Sequence, residues 1–221
     1  MNTVGLARGP KWVLMLAAAL CLSACETAYY GAMEKVGIHK RDIMSDRIVE
    51  ARDAQEEAKQ EFRSALERFS TELGFDGGDL EEKYEGLNDA FEASEEKAQA
   101  VSDRIDAVED VAGALFDEWE DELEQYSNDR LRRDSQAQLG QTQDRYKRML
   151  KAMHRAEKRM KPVLDTFRDQ VLYLKHNLNA RAIASLKSEF GSLEKDINRL
   201  IGEMESSIAQ ANQFIDVLGK Q

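Results

Sequence analysis

Cys21 and Cys25 are the only cysteines of this 221-residue chain, and His39, His154 and His176 are its only histidines. Two cysteines so close together can form a disulfide, act as a redox pair, or do neither. Histidines can assemble a metal site or serve as a base beside a nucleophile. A zinc site, however, needs three or four converging ligands. No HExxH, no paired His/Cys spacing, no GxSxG and no phosphate-binding loop occurs. Carboxylates are abundant, but a general acid needs a pocket that raises its pKa. In a chain this charged, carboxylate pairs at helical spacing form a solvated face. The residue types point away from hydrolysis, group transfer and metal chemistry, and no cofactor is expected.

The cysteines are explained by what surrounds them. Arg8 and Lys11 precede an eleven-residue apolar run, WVLMLAAALCL, from Trp12 to Leu22. That run has the length of a signal-peptide core and is too short for a spanning helix, which needs roughly 20 residues. Leu22-Ser23-Ala24-Cys25 follows and resembles the bacterial lipobox: an aliphatic residue, two small residues, then the cysteine that receives lipid. On this reading residues 1–24 are a lipoprotein signal peptide that carries Cys21 away. Cys25 becomes the acylated first residue, and residues 25–37 are an anchor and membrane-proximal linker. More than one acyl chain gives stable anchoring where one gives marginal binding. Glu26, in place of the Asp that favours inner-membrane retention, tilts the expectation toward the periplasmic face of the outer membrane. The alternative is an ordinary secretory signal cleaved nearby, which leaves Cys25 a free thiol.

Composition narrows the class of the remainder. Loss of residues 1–24 removes two basic residues and no acid, so the net charge goes from −11 to −13. So acidic a chain is not suited to general nucleic-acid binding, which relies on neutralising phosphates. Pro162 is the only proline outside the signal, and charged residues of both signs make up 33% of the chain without long blocks. This is the profile of long helices and coiled coils.

Periodicity gives the elements that must position any site. Alternating steps of four and three from Leu80 to Tyr126 meet fourteen positions, of which twelve are apolar or aromatic. At the chain's 42% hydrophobic content, chance would supply about six. Only Ser94 and Glu122 interrupt this seam, the a/d stripe of a left-handed coiled coil. Met44 to Leu73 forms another seam, broken by Gln55; Tyr146 to Leu178 and Ile183 to Leu218 form two more. The aromatic and methionine stripes read as core. Glycine-rich GFDGGD at residues 74–79, Ser127-Asn128-Asp129, and Asn177-Leu178-Asn179 mark the breaks. Asp79 is a plausible N-cap, with Glu82 three residues on. The glycine turn lacks the alternating oxygen ligands of a calcium loop.

The expected fold is all-α, an elongated antiparallel coiled-coil-like four-helix bundle over residues 38–221, with helices of about 38–73, 79–126, 129–177 and 180–218. Short connections make sequential helices neighbours, and Pro162 should kink the third helix without ending it. The acidic stretch 103–124 should lie beside the basic stretch 130–161, setting register more than stability, since an exposed pair contributes on the order of 0–1 kcal/mol. In this register the three histidines do not converge. The first and last helices are too short to cover residues 115–140, which should project as a two-helix tip. Phe116, Trp119, Tyr126, Arg130, Arg132 and Arg133 lie there. Rings and arginines together suit a membrane interface or a membrane-proximal partner. Against this, Trp119 sits on the seam and reads equally as core, and residues 28–37 could fold back over the tip.

The phrases EKVGIHKRDIMSDRIVEARDAQEEAKQEF, FDGGDLEEKY, VEDVAGALFDEWEDELEQYSN and FRDQVLYLKHNLNARAIASL, spread over the chain, resemble a family of bacterial lipoproteins filed as domain of unknown function 2959. The resemblance implies a helical envelope lipoprotein and carries no activity, cofactor or catalytic residue. The function expected is that of a membrane-anchored, non-enzymatic helical spacer or scaffold in the periplasm. The alternative is an adaptor that docks an envelope protein through its helical faces or tip; an enzyme is the remote third. Expected partners are the membrane, through lipid at Cys25, and an envelope protein of unstated identity.

Overall fold

The heptad seams become four helices: α1 Lys40–Gly74, α2 Leu80–Leu123, α3 Asp129–His176 and α4 Ala180–Leu218. The computed structural model describes Met33, residues 39–74 and residues 79–219. No strand occurs among the described residues. The chain divides into two compact units, Met1–Ile43 and Met44–Gln221. In the first, the carbonyl of His39 accepts from the N–H groups of Asp42 (2.9 Å) and Ile43 (3.1 Å), starting α1. Everything that follows concerns the second.

Helix ends fall where side chains can replace missing backbone partners. The Asp79 carboxylate accepts from the N–H of Glu81 at 2.8 Å. Asn128 accepts from Arg130 (3.0 Å) and Leu131 (3.2 Å), and Asn179 from Arg181 (3.0 Å) and Ala182 (3.1 Å). Each satisfies donors that the first helical turn leaves open. At the other end of α1, the buried Lys83 ammonium donates to the carbonyl of Glu72 at 2.7 Å, so a cation from the next helix serves one of the last open carbonyls. α3 runs unbroken through Pro162.

Neighbouring helices are antiparallel, and their ion pairs give the register. Arg104 meets Glu50 at 3.0 Å and Lys97 meets Glu57 at 2.8 Å between α1 and α2. Ser102 donates to Glu157 at 2.8 Å between α2 and α3, and Arg155 meets Glu203 at 3.5 Å between α3 and α4. Arg52 donates to Asn212 at 3.2 Å, which closes the square between α1 and α4. On α1 the core follows the predicted seam: Met44, Ile48, Ala51, Gln55, Ala58, Phe62, Ala65, Phe69 and Leu73 are all buried. On α4 the seam shifts by one residue, Ser207 and Phe214 being buried where Ile208 and Ile215 were expected, because a 3.6-residue turn drifts against a strict heptad. One layer takes a ring from every helix. Phe69 of α1 stacks on Phe190 of α4 and meets Phe167 of α3 edge-on, which in turn meets Phe91 of α2 edge-on, each pair 5.7 Å apart. Edge-to-face pairs contribute about 0.5–1.5 kcal/mol beyond the area they bury.

Three further expectations are corrected. α2 stops at Leu123, three residues early, because the chain must turn before the Asn128 cap; Tyr126 is in that turn. Leu178 is 44% exposed: it lies past the end of α3, between the caps Asn177 and Asn179, so the heptad count no longer applies to it. The acidic and basic stretches lie side by side on α2 and α3 as expected, but few of their charges pair between the helices. Glu109 pairs with His154 and Glu120 accepts from Gln143, but Arg130, Arg132 and Lys161 reach carboxylates of their own helix and Arg155 reaches α4. Long exposed side chains find partners three or four residues away at lower entropic cost than partners across an interface.

Candidate functional site

The feature that departs from a closed bundle is the α2–α3 end. Leu115, Phe116 and Leu139 are the last buried residues; between 117 and 138 none is buried. The register explains this. The Arg104–Glu50 pair places Met44 level with Asp110, and the Tyr146–Phe214 ring contact places Leu218 near Thr142. Beyond those levels, among the described residues of the second unit, no other helix packs on α2 and α3. The projecting part is about ten residues, or about 15 Å at the rise of an α-helix.

Within it the predicted residues separate. Phe116 is not a surface group: it is 9% exposed and sits edge-on to Tyr146, 5.4 Å between centroids, at the floor of the tip. Trp119 is half-buried on the seam, and its indole N–H donates to the Ser135 hydroxyl at 2.8 Å, tying the two tip helices together. Tyr126 is 40% exposed and Leu131 52%. Arg132 meets Asp129 at 3.1 Å and Arg130 approaches Asp134 at 3.8 Å; Arg133 is exposed. The seam pattern made Trp119 legible as half core. Its hydrogen bond to Ser135 was not, since nothing in a serine's sequence context marks it as the partner of a ring sixteen residues away. Cys25 lies outside the described residues, as do residues 28–37 apart from Met33.

The histidines of the second unit stay apart in chemical role. His176 is exposed in the last turn of α3, where a basic residue complements the helix dipole. His154 is a clamp. Its Nδ1 lies 2.8 Å from Glu157 and its Nε2 3.3 Å from Glu109 of α2, while Glu157 also accepts from Ser102 of α2. Burial alone would push this imidazole down, but the hydrogen bonds to Glu157 and Glu109, with their charges, outweigh it and hold the pKa above its ordinary value. Burial, then the charges of Glu109 and Asp110, push the Tyr146 phenol up. No group of three or more His, Cys, Asp or Glu among the described residues is placed to hold a metal ion. No described helix is long and apolar enough to cross a membrane.

Two further features came from the packing of the helices. A recess of about 520 Å³ opens on the α2–α3 face among Glu95, Ser102, Glu157 and Arg168. These four groups are already engaged: Arg168 pairs with Glu95 and lies over the Phe91 ring, and Ser102 donates to Glu157. In the core, Gln55 of α1 and Ser207 of α4 are fully buried and their side-chain polar atoms have no partner. Gln55 was visible as a break in its seam; Ser207 was not, because the seam steps past it from Met204 to Ile208.

This arrangement of uncovered tip, histidine clamp and mismatched core layer has no counterpart to borrow from, since no curated protein and no solved structure is significantly similar to the chain. One family model, described as a protein of unknown function (DUF2959), matches residues 29–218. Because that match spans well over half of the 221 residues, the chain belongs to the DUF2959 family.

Proposed function

We propose that this protein is a lipid-anchored, non-enzymatic helical spacer or scaffold of the bacterial envelope, tethered through Cys25 on the periplasmic face of the outer membrane. The observation that carries the reading is the pair α2 and α3, 44 and 48 residues long. At the rise of an α-helix these extend about 66 and 72 Å. Most of their hydrophobic side chains are buried in the core, Leu131, Leu172 and Tyr173 of α3 being exposed, and their histidines make helix-to-helix or dipole contacts. Length is what such a molecule has to offer. LSAC after an eleven-residue apolar run supports the anchor.

Two measurements test it. A Cys25→Ser chain is expected to leave the membrane pellet and to carry no acyl chain; persistence of either refutes the anchor. Matched two-heptad insertions in all four helices lengthen the bundle without touching its faces. Full complementation by that variant, with envelope spacing unchanged in tomograms, refutes the spacer. A second reading, an adaptor for another envelope protein, is favoured by one specific observation, the uncovered tip.

A further inference from the structure

Residues 117–138 form an antiparallel helix pair in which no residue is buried and which, among the described residues, runs past the start of α1 and the end of α4. The pair is held in register by the Trp119–Ser135 hydrogen bond, so its surface is preformed. Apolar groups remain on it: Trp119 and Leu123 half-buried, Tyr126 and Leu131 exposed. Around them stand eight carboxylates and three arginines, a net charge of −5. Six of the carboxylates crowd residues 117–124, at the negative end of the α2 dipole, and the last turn of α2 contains no basic residue. Two of the three arginines are engaged with Asp129 and Asp134 of their own helix.

We propose that the tip is a docking surface for a basic, amphipathic helical segment of another protein, laid on the open side of the α2–α3 pair. This rests on the adaptor reading and names the partner's chemistry. Charge decides among occupants. A second copy would bring the same negative surface to meet this one, and a bilayer with anionic headgroups would repel it. A cationic helix relieves the crowded carboxylates, and its apolar stripe covers Trp119, Tyr126 and Leu131 as α1 and α4 cover the seam below.

The test uses the full-length chain with Trp12→Phe, which leaves Trp119 as its sole tryptophan. The probes are a three-heptad peptide with leucine at a and d and lysine elsewhere, its glutamate counterpart, and phosphatidylglycerol vesicles. The lysine peptide is expected to shift Trp119 emission with one-to-one saturation, and to bind less tightly as salt rises. Neutralising Asp117, Glu120 and Asp121 together with Leu131→Ser is expected to weaken it about tenfold, as loss of steering charge and an apolar anchor would. Neutralising Glu85, Asp89 and Glu96, exposed lower on α2, leaves binding unchanged. Equal loss in that control, an equal shift with the glutamate peptide or the vesicles, self-association on the same face, or no shift at all overturns the proposal. A photo-crosslinker at Leu131 in living cells separates the two levels. A crosslink to a segment that is not basic overturns the charge inference and leaves the adaptor reading standing. No protein crosslink overturns the adaptor reading itself, and the inference with it.

Discussion

Replacing Gln55 with leucine should stabilise the bundle by about 2 kcal/mol, since a buried unpartnered amide costs roughly 1–3 kcal/mol and leucine adds apolar contact. Gln55 is fully buried on the α1 seam between Ala51 and Ala58, and neither its Nε2 nor its Oε1 has a partner. For a protein of this size each kcal/mol moves the thermal midpoint by about 2–4 °C, so Gln55→Leu should raise it by about 4–8 °C. Urea unfolding followed by circular dichroism should show a higher midpoint at an unchanged slope. Ser207→Ala, which removes an unpartnered buried hydroxyl, should add a smaller gain. Additive gains in the double variant mean two separate mismatches; a gain well short of additive means that one ordered water serves both. Gln55→Leu at or below the parent's midpoint would refute the reasoning, because the amide would then have a partner in solution. Retaining such a layer is consistent with a polar core position setting helix register at a cost in stability, as a single buried Asn does in coiled coils.

Phe69→Ala should cost about 3–5 kcal/mol, as large-to-small changes of fully buried rings do, because Phe69 joins the rings of α3 and α4; chemical denaturation measures it. His154 has a raised pKa, so its contribution is fully present below the unfolded value near 6.5 and is lost as pH rises through the higher folded value. Denaturant midpoints measured from pH 6 to pH 9 should therefore fall more for the parent than for His154→Gln, and parallel curves would show that the clamp is energetically idle. Asn128→Ala should cost about 1 kcal/mol through loss of the α3 cap, and hydrogen exchange should register it in the first turns of α3 before the bundle core.

Helix count, seam residues and turn positions were legible because each depends on neighbours within a turn or two. Met44 through Leu73 had to bury one face together, and Asn128 and Asn179 had to cap what followed them. The existence of the tip was legible too, since it follows from helix lengths once the turns are placed. Leu178 and Tyr126 show where that logic ends: a heptad count cannot see the residue at which a cap takes over. The seam pattern put Trp119 on the bundle axis, yet its indole N–H meets Ser135 only because α2 and α3 cross at that level. His154 likewise became a clamp through Glu109 of another helix, and Gln55 and Ser207 were left without partners by the helices packed around them. Sequence by itself determined which face of each helix turns inward, because that is a matter of local periodicity, but not every residue of the face, since on α4 Ser207 and Phe214 replace Ile208 and Ile215 in the core. Tertiary structure alone decided which groups meet across helices and which are left without partners, because those contacts depend on register between segments far apart in the chain.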